Sequence, residues 1–554
     1  MATRRCTLLL LGLLALLALA AVACAPRAEP TATPTPTRPA AAGPTATPTP
    51  TSTPAPSGPS GTLTVAVLNV NVPSGTPRFC TAGCAENVYL TSVMETLFRP
   101  QVGDINGEKE LEPVLATRWE LDPNLQYLDF TLREGVQFHK GWGEMTAADV
   151  AFSFNDANSV TTPESVHGQA GDFAPLIKEL EAQGTHKVRL WYNTYDSRGI
   201  RHRFSTFWQT AGITSKKVFD QHGPEGMRTI FIGTGPFMMT EYTQNKGIFL
   251  EAVDNHWRRT PAFKTVRILE VPEASSRRAM LETGQAQIIE PHTKDIPHLE
   301  RAGFKAHYGG GLYNQRILFF TGNYWEKTHV ITGKPLTRTL ENKPWVGNPD
   351  DPASMERARK VRWAIALAID REGLNNTVLQ GLGRPVHIGY VSVAHPQFQE
   401  KWKVPYDIPR AKQLLQEAGY PNGFQFELHP SQSAGTIVDL AEAMASIWEA
   451  ELGIRTAIEK TAYTVYRPGL VQRTTSKPIL FPGDDGKSNF PYDWAKGFTN
   501  CSISDGGFGV GMEVREMCDF YLAAAAETDP VKRKQIVDQF HDFSYHWMLM
   551  PGTV

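Results

Sequence analysis

The chain has 554 residues, 55 basic against 57 acidic side chains and a formal net charge of −2. That length is too great for one simple core and calls for two or three lobes, while the charge balance excludes the basic face that nucleic-acid phosphates demand. The 12 Trp among 10% aromatics suit a core or a ligand pocket equally well, so composition leaves that choice open.

In chain order, Arg4 and Arg5 precede an apolar run from Leu8 to Val22 that ends in Ala21-Val22-Ala23-Cys24. A basic start, a short apolar stretch and small residues before a cut site predict a secretory signal over residues 1–23. The run is shorter than the ~20 residues that span a bilayer, and no basic flank follows to stop transfer. The segment resembles a bacterial lipobox, with Ala21 where Leu is usual. Lipid on the Cys24 thiol would anchor the protein to the outer face of the cytoplasmic membrane. Residues 24–61 are mostly Pro, Thr, Ala and Ser. They lack the large apolar side chains of a core and predict an extended or disordered tether.

The globular body starts near Thr62, where Leu63, Val65 and Val67 alternate as a strand. Thr146 and Asp149 form a capping-box start for a helix through Val150 and Phe154. Further strands are predicted at Tyr127–Leu132, Lys187–Tyr192, Gly247–Val253, Thr265–Val271 and Ile454–Lys460. Asp407 as cap, Pro409 in the first turn and Ala411, Leu414, Leu415 and Ala418 on one face predict a helix ended by Gly419. Another starts at Asp529-Pro530 and runs through Ile536, Phe540 and Phe543. Strands mixed with helices throughout mean an α/β body, and no solenoid period is present.

Of six cysteines, Cys6 leaves with the signal and Cys24 takes the lipid. Cys80, Cys84, Cys501 and Cys518 remain, an even number in an oxidising compartment, and predict two disulfides. Spacing favours Cys80 with Cys84 and Cys501 with Cys518, although three pairings are possible. A metal site is the rival, but the second pair is too widely spaced for the usual zinc pattern.

Enzyme motifs fail. Gly486-Lys487-Ser488 resembles the end of a phosphate-binding loop, yet Phe481 stands where the loop needs glycine. There is no Gly-x-Ser-x-Gly elbow and no His-Glu-x-x-His helix. Pro291 and Pro297 interrupt the segment that carries His292 and His298, which read as surface histidines. The glycines from Gly506 to Gly511 need only a flexible or ligand-facing loop, and Asp484-Asp485 reads as solvated charge. No catalytic residue, metal or cofactor is expected.

Six blocks in order resemble the family 5 extracellular solute-binding proteins, the dipeptide-, oligopeptide- and nickel-binding subunits of ABC importers. They are Glu112 to Glu120, Phe130 to His139 (FTLREGVQFH), Thr146 to Ser153, Gly233-Thr234-Gly235-Pro236-Phe237, Val361 to Arg371 (VRWAIALAIDR) and Tyr406 to Tyr420. Departures are Lys140, where the family usually has Asp, a reduced Asp254-Asn255-His256-Trp257 block, and an acidic aromatic loop whose nearest equivalents lie between Phe481 and Trp494. Relatives also continue past the point matching Val554 into a closing segment, so a shortened product is expected. Most block residues read as structural: Phe130 and Leu132 share a strand face, Gly135 permits a bend, and Arg371 is expected to end a helix at its negative dipole end.

The resemblance implies a two-lobed periplasmic-binding-protein-like fold of class II. Lobe one would span 62–320 with an inserted subdomain over about 102–209, lobe two 321–527, and a C-terminal segment, 528–554, would return to lobe one. Ligand would bind between the lobes and be buried by hinge closure. Membrane permease subunits would recognise the closed form, and the subunit itself, a monomer, would break no bond. In peptide binders an acidic residue holds the ligand's terminal amine, since a buried unpaired charge is strongly unfavourable. Asp493, between Tyr492 and Trp494, is the first candidate and Asp485 the second. Asn323 and Tyr324 resemble the family's hinge strand and are cleft candidates, and Tyr89 lines the cleft or the core. Peptide, nickel complex, sugar and opine-like ligands stay open. A surface sensor or scaffold on the same fold is the rival class, and an exported hydrolase lacks a reactive constellation.

Overall fold

The protein is described by a computed structural model. It covers residues 58–70, 72–80, 89, 91–99, 111–168, 170, 174–197, 204, 212–307, 314–328, 333–431, 435–461, 463–484 and 511–554. The expected signal, the lipobox Cys24 and nearly all of the tether lie outside these residues. Among the described residues no helix is long and apolar enough to cross a membrane.

Lobe one is seeded by β1 (Thr62–Val67). It alternates as read from sequence, yet Leu63 and Val65 are half-buried as well as Ala66 and Val67 buried. The reason is that β1 pairs in parallel on both sides, and parallel strands are covered on both faces.

The chain then leaves for an extra domain. β2 (Phe98–Arg99) and β3 (Glu112–Pro113) form a short ribbon. β4 (Ala116–Leu121), β5 (Tyr127–Leu132), α1 (Ala147–Ala157), β6 (Ile177–Ala182) and β7 (Lys187–Tyr192) follow. The four longer strands make an antiparallel sheet in the order β4-β5-β7-β6. Phe130 and Leu132 share its buried face, and Gly135 takes φ 76°, the bend expected of it. The Thr146 amide donates to Asp149 Oδ2 at 2.8 Å, so α1 starts at its expected cap. Asp149 Oδ1 accepts from the Lys216 amide at 2.8 Å, tying α1 to α2 (Lys216–Gly226). The domain's core runs from Leu97 through Val218 and Met227 to Ile232, so it is wider than the expected 102–209.

β8 (Phe237–Thr243), β9 (Gly247–Ala252), β10 (Thr265–Glu270), α3 (Ala274–Glu282), β11 (Ile288–Ile289) and α4 (Ile296–Arg301) complete lobe one. Its sheet order is β11-β1-β10-β9-β8. The block Gly233 to Phe237 is the joint between this sheet and the extra domain. A Cβ on Gly233 would sit 2.1 Å from the Val93 carbonyl oxygen, and one on Gly235 2.2 Å from that of Ser92. Only glycine allows that approach. His139 fastens the same joint, its Nε2 2.8 Å from the Gly235 carbonyl.

Lobe two contains β12 (Asn314–Phe319), β13 (Asn323–Tyr324), α5 (Pro352–Leu367), α6 (Arg371–Thr377), α7 (Ile408–Glu417), β14 (Gln425–Pro430), α8 (Gly435–Leu452), β15 (Arg455–Ile458), α9 (Tyr463–Val471), β16 (Ile479–Asp484), β17 (Met512–Glu513), α10 (Arg515–Ala526) and α11 (Pro530–Trp547). Its mixed sheet has the order β12-β16-β14-β15. Asp407 caps α7 through the Arg410 amide at 2.9 Å, and Gly419 beyond its end takes φ 88°. α5, α7 and α8 bury one face each in a core with Phe426, Leu428 and Leu480.

Two expectations change in this lobe. It begins at β12, before the expected boundary at Thr321, because β12 is hydrogen-bonded to β16 along its length. The C-terminal segment packs on β12, a strand that the expected lobe one included. Val537, Phe540, Leu549 and Met550 pack in one cluster with Ile317 and Phe319 of β12, and Gly552 bridges Ile317 as a further partner of β12. Arg371 opens α6 instead of ending a helix, with Asp370 as the cap. Its buried guanidinium nonetheless reaches back to the end of α5, donating to the Ala366 and Ile369 carbonyls at 3.3 and 3.2 Å.

Candidate ligand-binding site

Ligands of open α/β sheets lie beyond the carboxyl ends of parallel strands. In lobe one those ends are Val67 of β1, Glu270 of β10 and Ile289 of β11. Two carboxylates gather there. Glu270 Oε2 accepts from the Val70 amide at 3.1 Å, and Glu290 Oε2 from the Leu68 amide at 2.9 Å. The buried Arg277 braces the same edge, donating to the carbonyls of Glu290 at 2.6 Å, Val271 at 2.6 Å and Pro272 at 2.8 Å. With its fork spent on backbone, Arg277 does not neutralise the two acids by hydrogen bonding. Tyr89 packs half-buried against the lobe-one core. Burial first, then the charges of Glu290 and Glu270, push its phenol up to about 12. The strand-end wall is therefore anionic with one aromatic face, a surface suited to a ligand cation.

Contacts cross from this side to lobe two. Lys294 Nζ lies 3.0 Å from Asp439 Oδ2 on α8, with His292 Nε2 3.9 Å from the same oxygen. From the extra domain, the Ser197 amide donates to the Ala525 carbonyl of α10 at 3.0 Å. His292 is thus not the plain surface histidine that its flanking prolines suggest, whereas His298 is exposed beside Glu282 at 3.2 Å. Among the described residues no group of three His, Cys, Asp or Glu could hold a metal ion.

The sequence candidates divide. Asp485, Tyr492, Asp493 and Trp494 lie outside the described residues. Tyr89 falls on the strand-end wall. Asn323 and Tyr324 are corrected: both are interior framework of lobe two, not cleft surface. Asn323 Nδ2 donates to the Phe320 carbonyl at 2.8 Å and the Trp345 carbonyl at 3.3 Å. Its Oδ1 accepts from Trp325 Nε1, the Gly347 amide and Arg362 Nη1, each at 3.3 Å. An amide so fully engaged has nothing left for a ligand. The Tyr324 hydroxyl donates to the Thr475 carbonyl at 3.1 Å, and burial raises its pKa. Sequence reasoning missed Glu270 and Glu290. Their only signal is an acid placed directly after an apolar strand run, twice.

The cysteines divide likewise. Cys80 is disulfide-bonded, while Cys84 and Cys501 lie outside the described residues. Cys518 is a buried thiol on α10, not half of the expected bridge to Cys501. It packs among Met517, Tyr521 and Phe540 as a small apolar side chain, and burial pushes its pKa up to about 12.

Residues 110–494, more than half of the chain, match the sequence model of the bacterial extracellular solute-binding proteins, family 5. The chain belongs to that family. It is 27% identical over 409 residues to heme-binding protein A of Haemophilus influenzae, covering 69% of this chain and 68% of that protein. It is 26% identical over 312 residues to the oligopeptide-binding protein AppA of Bacillus subtilis, covering 54% of this chain and 50% of that one. The chain thus spans about half to two-thirds of these two relatives. In three dimensions it resembles the ABC transporter-associated periplasmic binding protein DppA from Helicobacter pylori, solved with the peptide STSA. That likeness has a TM-score of 0.68 at 20% identity and covers 89% of this chain and 92% of the other, which shows the periplasmic-binding-protein fold. In this family 5 member the strand-end wall lies on lobe one.

Proposed function

We propose that this chain is the capture subunit of an ABC importer and takes peptides or similar small solutes carrying a free ammonium. The observation that carries the reading is the Glu270–Glu290 wall with Tyr89 at the carboxyl ends of β1, β10 and β11. Two carboxylates held by backbone amides are fixed acceptors, for which an incoming ammonium exchanges its water. Asp493, flanked in sequence by Tyr492 and Trp494, is the second acidic partner in this reading. The subunit is held at the membrane by lipid on Cys24, acts as a monomer, and delivers its load to permease subunits without turning it over.

Ligand that binds only the folded state must raise the melting temperature. A hundredfold excess over the dissociation constant contributes about 2.7 kcal/mol. Screening short peptides by thermal shift against the chain from Thr62 onward is expected to give hits that are released unchanged. Asp493→Asn should then weaken peptides with a free N-terminus about tenfold or more, as expected for a truncated charge pair, and leave N-acetylated peptides nearly unaffected. Equal loss for both removes Asp493 from this role. Heme is the second reading, favoured by the relative named for it. A heme hit with no peptide hit would replace peptide by porphyrin and leave capture standing. Steady product formation from any hit would overturn capture itself. Mass spectrometry of membrane-extracted protein should find a lipidated N-terminal Cys24, and an intact Met1 would refute the anchor.

A further inference from the structure

The contact between Lys294 and Asp439 joins two parts that are each fixed to a different lobe. On the lobe-one side, Lys294 sits in a one-turn helix, Thr293–Asp295, directly after β11. His292 caps that turn, its Nδ1 accepting from the Lys294 amide at 3.2 Å, which leaves Nε2 facing lobe two. Asp295 closes the turn from the other end by an ion pair with Arg278 Nη1 of α3 at 2.8 Å. On the lobe-two side, Ile437, Leu440, Ala441, Met444 and Trp448 root α8 in the core. Neither partner can follow the other if the lobes part.

The geometry of the pair is also unusual. Asp439 Oδ2 is sealed from solvent and has no aligned hydrogen-bond donor. Lys294 Nζ lies 3.0 Å from it but outside hydrogen-bond geometry, so the attraction runs through charge alone. The Asp439 side chain as a whole is 29% exposed, so its enclosed oxygen faces Lys294 while the rest of the carboxylate meets water, and the attraction is partly screened.

We propose that Lys294 and Asp439, with His292 beside them, form an electrostatic latch between the lobes that weights the ligand-free protein toward the closed arrangement. This rests on the reading that the lobes close over a solute. Protein already biased to closure spends less binding free energy on the motion, so solute affinity rises by the fraction of molecules closed. Because the lysine is half-exposed and the pair only partly enclosed, the bias is modest, about threefold in the closed-to-open ratio.

The test needs no ligand. Small-angle scattering of the full, ligand-free chain gives the radius of gyration and, by two-state fitting, the closed fraction. Lys294→Met and Asp439→Asn should each expand the molecule and lower the closed-to-open ratio about threefold. The exchanged pair, Lys294→Asp with Asp439→Lys, should restore it. Raising the salt to about 1 M, where screening acts over about 3 Å, should expand the parent and leave both single variants as they were. Lys294 is exposed on a turn, so Lys294→Met decides the matter if Asp439→Asn fails to fold. Scattering curves that coincide for parent and Lys294→Met at low salt overturn the latch. A chain that binds no peptide and no heme would sink the proposed function while leaving this measurement intact.

Discussion

Arg362→Ala is expected to lower the unfolding free energy by about 3–5 kcal/mol, the range for opening a buried polar site. Arg362 is 0% exposed at the centre of α5. Its Nε donates to the Trp547 carbonyl at 2.8 Å and its Nη1 to the Trp345 carbonyl at 2.6 Å. The same Nη1 reaches Asn323 Oδ1 at 3.3 Å. One side chain thus joins α5, the end of α11 and the turn after β13. Truncation would strand buried acceptors and leave a cavity, and the two costs add. Burial lowers the guanidinium pKa to about 9, which still leaves it charged at neutral pH. Urea unfolding reads the effect. Arg359→Ala, which breaks a half-exposed pair with Glu356 on the same helix, is the control and should cost under about 1 kcal/mol. A similar small loss at Arg362 would mean that water replaces the guanidinium without penalty, and the hub argument would fall.

Acid is the second large lever. His541 is fully enclosed between Trp402 and Phe540. Among the described residues neither of its ring nitrogens has a hydrogen-bond partner. Burial first, then the charges of His395 and Lys534, lower its pKa to about 3. His395 is lowered to about 4 by burial and then Lys534. The other charged groups near these rings are Asp538, paired with Lys534 at 2.6 Å, and Asp542, paired with Lys401 at 2.6 Å. Each of these carboxylates already faces a lysine, which weakens what it can offer a new proton. A histidine lowered in the fold binds its proton more readily when unfolded. Its contribution is therefore complete above the unfolded value of about 6.5 and is lost as pH falls toward the folded one. Between about pH 6.5 and 4 the protein should lose several kcal/mol, at about 1.4 kcal/mol per histidine for each pH unit. His139 adds to this, because its Nδ1 accepts from the Gly233 amide at 3.4 Å and must give up that bond on protonation. His541→Phe keeps the ring volume and sacrifices no hydrogen bond. It should hold stability at neutral pH and flatten the acid slope by about one proton. An unchanged slope would exclude His541 as a source of the acid sensitivity.

Local signals were legible in the sequence and long-range ones were not. β5 and β7 stand where alternation places them, Tyr127–Leu132 and Lys187–Tyr192. The caps at Thr146, Asp407 and Asp529 hold because a cap depends only on the next three residues. The family blocks also revealed the fold, with Gly233 and Gly235 fastening a joint between the sheet and the extra domain. The strand-end wall was hidden for a physical reason. Glu270 and Glu290 become neighbours only through the parallel pairing of β10 and β11 on either side of β1. Of the described residues put forward for the site, Tyr89 lies on that wall, whereas Asn323 and Tyr324 do not. Asn323 deceived because a short polar side chain beside a crossover looks the same whether it faces a cleft or, as here, ties five groups of the interior together.

The strip from Met550 to Val554 has a consequence for how the chain is made. The Arg316 amide donates to the Val554 carbonyl at 3.1 Å, the Leu318 amide to Pro551 at 2.9 Å, and the Thr553 amide back to the Arg316 carbonyl at 2.8 Å. Thr553 also donates through its hydroxyl to Arg316, 237 positions earlier. Among the described residues the main apolar cluster of lobe one, by contrast, comes from residues between Leu63 and Ile268. A chain leaving the ribosome or crossing a membrane N-terminus first can therefore finish lobe one while β12 still waits, one edge bare, for the final residues. Closing so long a loop is slow, and a bare edge invites the wrong partner. The second lobe is thus expected to be completed after the first. Pulsed hydrogen exchange during refolding should find β1 and β10 protected well before β12.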